Sequence, residues 1–193
     1  MQFLVKRCPR NQAIFVIAGL LIAAALLFTF ARILQTMVPR TPVQTVSIEQ
    51  LKAEAVEKRK RDITRYLAAK YRQDVADVRS YVDLAWGEAA KHPDVTPEMA
   101  LAIMMKESSL IPTAKSGYGA EGLMQVVRRM HGEKLAETES LLDPRVNVRV
   151  GTQILQQYIK SKGQVELALV KYSGNARGYA DFVMRETAVL QAI

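Results

Sequence analysis

The sequence predicts a mainly α-helical protein: a helical domain preceded by an N-terminal transmembrane helix and a helical stalk. Three observations predict it. An uncharged apolar run sits near the N-terminus. Downstream, apolar residues recur at helical spacing behind recognisable caps. No stretch sustains the alternation of a half-buried strand, and no internal repeat is visible.

Residues 13–31 read AIFVIAGLLIAAALLFTFA. As a helix, these residues span about 28 Å at 1.5 Å per residue, close to the hydrocarbon thickness of a bilayer. Lys6, Arg7 and Arg10 precede the run, and Arg32 ends it. Ala23-Ala24-Ala25 offers a formal signal-cleavage site, but Leu26, Leu27, Phe28 and Phe30 carry the apolar run past it. The favoured reading is therefore a retained anchor, with a cleaved signal as the alternative. The basic flank favours a cytoplasmic N-terminus. The expected organisation is a cytoplasmic N-terminus over 1–12, an inner-membrane anchor over 13–34, a linker and stalk over 35–77, and a periplasmic domain over 78–193.

This layout explains otherwise misleading averages. The 193 residues carry a formal charge of +8 and a mean hydropathy of −0.01. The first acidic residue is Glu49, and five basic residues precede it. The rest of the chain holds 22 basic and 19 acidic side chains, so the body is only mildly basic. A helical DNA-binding module loses most of its support on that count, and no nucleic-acid partner is expected. One cysteine and two histidines exclude an internal disulfide framework and the common four-ligand zinc sites. Cys8 precedes the apolar run and is read as a free thiol.

Pro39 and Pro42 punctuate the exit from the anchor. Ser47 and Gln50 form a capping box opening a helix over 48–72, about 37 Å long and read as a spacer. Lys58-Arg59-Lys60-Arg61 interrupts its apolar stripe and reads as a solvated face, or as a contact for anionic lipid or an acidic partner. A second helix runs from about Asp77 to Lys91. Thr96, Pro97 and Glu98 then restart a helix. Its run Met99 to Met105 is apolar on all sides, so it is the central buried helix. Asp143-Pro144 repeats the cap-then-proline device and opens a helix closed near Gly163. Further helices cover about 164–172 and 177–192.

The buried helix ends in Lys106-Glu107-Ser108-Ser109. Taken alone, Glu107 reads as a solvent-facing group past the last turn. Buried, it would have the raised pKa that a general acid needs near neutrality. The residues just downstream favour a site. Residues 112–122, PTAKSGYGAEG, hold three glycines, which permit positive φ and close approach to a ligand. Leu123-Met124-Gln125-Val126 then places an amide, both donor and acceptor, in an apolar stretch. An acid, a glycine-built loop and an amide suit a sugar cleft, and no phosphate-binding loop pattern is present.

Glu107-Ser108, Pro112, Ala114, Ser116, Gly119-Ala120 and Gly122-Leu123-Met124-Gln125 resemble, without a gap, the signature of soluble-type (SLT domain) lytic transglycosylases, whose fold is lysozyme-like. Asp143-Pro144, Asn147-Val148 and Gly151 match a second motif of that family. Residues 168–175, ending Tyr172-Ser173-Gly174-Asn175, represent a third. The resemblance covers about 78–193.

The resemblance implies a peptidoglycan lytic transglycosylase acting on glycan strands. Glu107 matches the single catalytic acid/base. Ser116, Met124, Gln125 and Val127 match cleft positions. Tyr172 matches the tyrosine that hydrogen-bonds and positions the acid. Asp143, Asn147 and Gly151 read as structural: a cap, a helix–loop hydrogen bond and a close helix contact. The chain departs from the family at Val127, often Met, at Arg128, usually Pro, and at Ser173, usually Asn.

Ordinary glycosidases use two carboxyl groups about 5–9.5 Å apart. Near Glu107 in sequence, only Glu121 could be the second acid, and it reads as an exposed loop residue. A single acid implies help from the substrate's acetamido group, and the family resemblance implies closure of a 1,6-anhydro ring. No metal or cofactor is needed. A hydrolytic lysozyme on the same fold is the nearest alternative. A non-catalytic peptidoglycan-binding subunit of an envelope-spanning secretion, conjugation or pilus machine is the alternative from another class.

Overall fold

The computed structural model describes residues 23–33 and 47–193. The expected cytoplasmic segment, the first part of the expected anchor and most of the linker lie outside the described residues. Residues 23–33 are helical (α1), with Leu26, Leu27, Phe28, Phe30 and Ile33 exposed. Among the described residues, no helix is long and apolar enough to cross a membrane.

The second compact unit is Ser47–Ile193. It contains α2 (Ile48–Tyr71), α3 (Val75–Ala89) and α4 (Pro97–Ser108). A two-stranded ladder comes next, β1 (Ala120–Glu121) and β2 (Val126–Val127), with α5 (Arg128–His131) and a short 3₁₀ turn. The unit ends with α6 (Pro144–Lys162), α7 (Val165–Tyr172) and α8 (Tyr179–Gln191). The strands pair antiparallel, Ala120 with Val127 and Glu121 with Val126.

Local chemistry sets the helix starts. The Ser47 hydroxyl accepts from the Gln50 N–H, and the Gln50 side chain accepts from the Ser47 N–H. Asp74, Thr96 and Asp143 each cap the following helix through a side-chain oxygen. Pro97 and Pro144 occupy first-turn positions, where no N–H is missed.

α4 is the central helix, as its all-round apolar run predicts. Met99 to Met105 are all at least 94% buried, and α4 packs on α3 and α8. α6 packs on α7 and α3.

The helix read as a spacer is different. Its first residues are exposed, but Ile63, Thr64, Leu67 and Ala68 are buried in the core. The stretch assigned to linker and stalk therefore supplies part of the domain core. The basic quartet is also not a uniformly solvated face. The Arg59 guanidinium pairs with buried Glu98 at 3.1 Å and donates to the Gln191 carbonyl at 3.0 Å. Lys60 pairs with Asp83 at 3.1 Å and Lys58 with Asp62 at 2.8 Å. Lys70 pairs with buried Glu186 at 2.8 Å. Arg59 and Lys70 thus tie α2 to α4 and α8. Such tertiary pairs are hidden in a linear pattern because their partners lie far away in sequence.

The segment between β1 and β2 is held by α6. Asn147, fully buried, accepts from the Met124 N–H at 2.7 Å. Its amide donates to the carbonyls of Glu121 at 2.7 Å and Leu141 at 2.8 Å. Gly122 has φ +78°, and a Cβ there would collide with the Asn147 amide and the Leu141 carbonyl oxygen. Gly151 leaves the notch that Met124 fills; a Cβ would sit 2.6 Å from the methionine sulfur.

Gly151→Val should therefore destabilise the domain by about 1–3 kcal/mol through overpacking. Chemical denaturation of the purified variant checks this by a lower midpoint at unchanged slope.

Candidate active site

The acid sits where α4 stops. Ser109 and Leu110 adopt left-handed backbone, φ 52° and 63°, and turn the chain away. The Ser108 hydroxyl lies 3.1 Å from the Met104 carbonyl and 2.8 Å from that of Leu123. It joins the end of α4 to the loop before β2. Glu107, in the last turn of α4, borders a cavity of about 480 Å³.

The cavity brings together residues from four parts of the chain. Ser116 comes from the glycine-rich loop, and Gln125 and Val127 from the β1–β2 segment. Tyr158 comes from α6, and Tyr172 ends α7. Glu107 is the only carboxylate among the lining residues. Glu121 does not line the cavity and pairs with Lys115 at 3.1 Å.

Burial pushes the Glu107 pKa above the ordinary glutamate range. A hydrogen bond from Tyr179 and the nearby Lys106 charge pull it back only in part. The Tyr179 hydroxyl donates to Glu107 Oε1 at 2.6 Å. Burial and the facing carboxylate push the Tyr179 phenol far up, so it stays a donor. His131, also on the cavity wall, has its pKa lowered by burial.

Two sequence expectations are corrected here. The Tyr172 hydroxyl does not reach Glu107; it donates to the Met124 carbonyl at 3.0 Å. Met124 does not line the cavity, because its side chain is fully buried. The Met124 carbonyl takes the Tyr172 hydroxyl, and the Met124 side chain packs at Gly151. The partner of the acid is Tyr179, which the motif reading passed over. Its only linear signal is a place on the buried stripe of α8, alongside Ala180, Val183 and Leu190.

The remaining expected residues serve the loop as well as the cavity. Gln125 has φ 48°, and its amide donates to the carbonyls of Ala114 at 3.1 Å and Gly122 at 3.0 Å. Only its side-chain oxygen is left for a ligand. The Ser116 hydroxyl accepts from the Ala120 N–H at 3.0 Å. Val127 is half-buried on the wall. Arg128 is exposed and donates to the Glu139 carbonyl, outside the cavity lining. The Ser173 hydroxyl closes its own turn, donating to Val170 at 2.9 Å and accepting from Ala176 at 3.1 Å.

A desolvated carboxyl at the end of a core helix, facing a cleft, keeps its proton to higher pH than an exposed glutamate and can serve as a general acid. The comparisons with known proteins agree with that chemistry. The family profile of the transglycosylase SLT domain matches residues 84–180. The chain belongs to this family. Its mainly helical domain fits the lysozyme-like architecture that the motifs imply. A "Transglycosylase" of Enterobacteria phage PRD1 is 32% identical over 88 residues, 46% of this chain. The match spans about a third (32%) of that relative's length. No solved structure matches the chain significantly.

The buried acid has two testable consequences. Folding raises the Glu107 pKa, so the folded state holds the proton more tightly than the unfolded chain. Stability then falls as pH rises from the ordinary glutamate value through the folded one. Glu107→Gln should melt higher than wild type at pH 7, and the difference should vanish below about pH 4, measured by calorimetry. In Tyr179→Phe, the carboxylate loses its donor and its pKa rises further. The alkaline limb of kcat/KM should move to higher pH, read from a pH–rate profile.

Proposed function

We propose that this SLT-family chain is a membrane-anchored peptidoglycan lytic transglycosylase. It cleaves the β-1,4 bond between N-acetylmuramic acid and N-acetylglucosamine and leaves 1,6-anhydromuramoyl ends. The observation that carries this reading is the lone, desolvated Glu107 on the cavity wall, with Tyr179 as its hydrogen-bond donor.

The protonated Glu107 gives its proton to the glycosidic oxygen as the C1–O bond breaks. With no second carboxylate on the wall, the acetamido group of the substrate stabilises the oxocarbenium-like centre, a known exception to the two-carboxylate pattern. The Glu107 carboxylate then takes the proton of the muramoyl C6 hydroxyl. That oxygen bonds to C1 and closes the anhydro ring. The enzyme regains its proton, and no water is consumed. Tyr179 steadies the carboxylate between the two proton transfers. Ser116 and the side-chain oxygen of Gln125 are among the polar groups offered to the sugar, and Val127 and Tyr172 shape the wall.

The anchor reading rests on the uncharged run 13–31 and its basic flank. It places the domain in the periplasm, against glycan strands, within reach of an envelope-spanning machine.

Glu107→Gln should lower release of soluble fragments from purified peptidoglycan by about 10²–10⁴-fold. Mass analysis of the wild-type digest should show anhydromuramoyl ends. Reducing ends would identify a hydrolase instead, and binding without cleavage a non-catalytic subunit.

A further inference from the structure

Tyr118 sits where folding gives no reason for an aromatic ring. It lies inside the turn Ser116–Gly119, closed by the Gly119 N–H donating to the Ser116 carbonyl at 3.0 Å. Turn centres favour small or polar residues. Tyr118 is 64% exposed, so its ring gains little from burial. The ring is nevertheless held. The Arg129 guanidinium stacks over it, 3.9 Å from the ring centroid. The base of the turn is pinned by the Lys115–Glu121 ion pair at 3.1 Å and a bridge between the same residues. The ring also borders the cavity that holds Glu107.

This is a largely exposed aromatic surface on the lip of the cleft, braced on one face by a cation. A pyranose ring presents a face of C–H groups with hydroxyls around its edge. A tyrosine is complementary to it, with an apolar ring and a polar tip. Its two side-chain torsions make ordering inexpensive, and Arg129 restrains them before any ligand arrives. We propose that Tyr118, braced by Arg129, is a stacking platform for a sugar ring of the bound glycan strand. The inference rests on the glycan-cleaving reading of the site and adds a specificity-determining residue to it.

The test uses the full chain in detergent with solubilised, uncrosslinked glycan strands. Tyr118→Ala should raise KM about five- to tenfold, the scale of one lost ring-face contact, with kcat within about twofold. Tyr118→Phe and Tyr118→Trp should keep the wild-type KM, because the ring face is what binds. Arg129→Ala should raise KM less than Tyr118→Ala, since the ring remains but is unbraced. An unchanged KM in Tyr118→Ala, or a loss confined to kcat, overturns the platform. So does a Tyr118→Phe defect as large as that of Tyr118→Ala, or the whole effect appearing in Arg129→Ala alone. Absence of any wild-type cleavage would instead reject the proposed function. In that case, calorimetric titration with a β-1,4-linked N-acetylglucosamine hexamer reads the platform directly. Weaker binding by Tyr118→Ala supports it, and equal binding overturns it.

Discussion

The side chain of Asn147 lets an irregular loop cross the top of a helical core. The segment from Glu121 to Gln125 has neither helix nor a full ladder to satisfy its backbone. A buried peptide group without a partner costs on the order of 1–3 kcal/mol. Asn147 serves two such groups of this segment, the Met124 N–H and the Glu121 carbonyl, and also the Leu141 carbonyl. Gly122 makes room for that amide, and Gly151 makes room for Met124 beneath it. Hydroxyls from two other helices bind the same segment, Ser108 at Leu123 and Tyr172 at Met124. The cleft wall is rigid because an unpaired group at any of these places would be expensive.

On that wall, the acid is set by two opposing demands. α4 must be apolar to form the centre of the domain, and its last turn carries the one carboxylate that faces the cavity. Desolvation holds the proton on Glu107, and Tyr179 limits how far that goes while fixing the orientation of the carboxylate. A carboxyl held in this way suits the two proton transfers of the proposed reaction. Tyr179 opens α8, which packs against α4. Arg59 and Lys70 clamp α2 against the same pair of helices. The geometry of the acid therefore depends on helices outside the glycine-rich loop.

Much of this was legible in the linear pattern, for local reasons. Caps at Ser47, Thr96 and Asp143 bind N–H groups two or three residues away, so a short window contains the whole interaction. The burial of α4 follows from an apolar run with no polar face. Glu107, Ser116, Gln125, Val127 and Tyr172 stand in ordered motifs, and all border one cavity. The misreadings have the opposite character. Tyr172 and Tyr179 are seven residues apart near the same cleft, and only the docking of α8 decides which hydroxyl meets Glu107. Met124 shares a motif with Gln125, but its side chain fills the notch that Gly151 leaves in α6. The basic quartet of α2 resembles a solvated face until Glu98, Asp83 and the end of α8 are brought beside it.

The sequence by itself determined the helical class, the helix starts at Ser47, Thr96 and Asp143, the buried centre and five of the residues that border the cavity. Each depends on spacing within a few turns or on an ordered motif. The tertiary structure alone decided which tyrosine holds Glu107, that α2 is partly core, and that Tyr118 stands braced at the lip of the cleft. These are contacts between residues 11 to 132 positions apart. Side-chain pairing over such separations is set by how helices dock, and docking leaves no periodic trace in the chain.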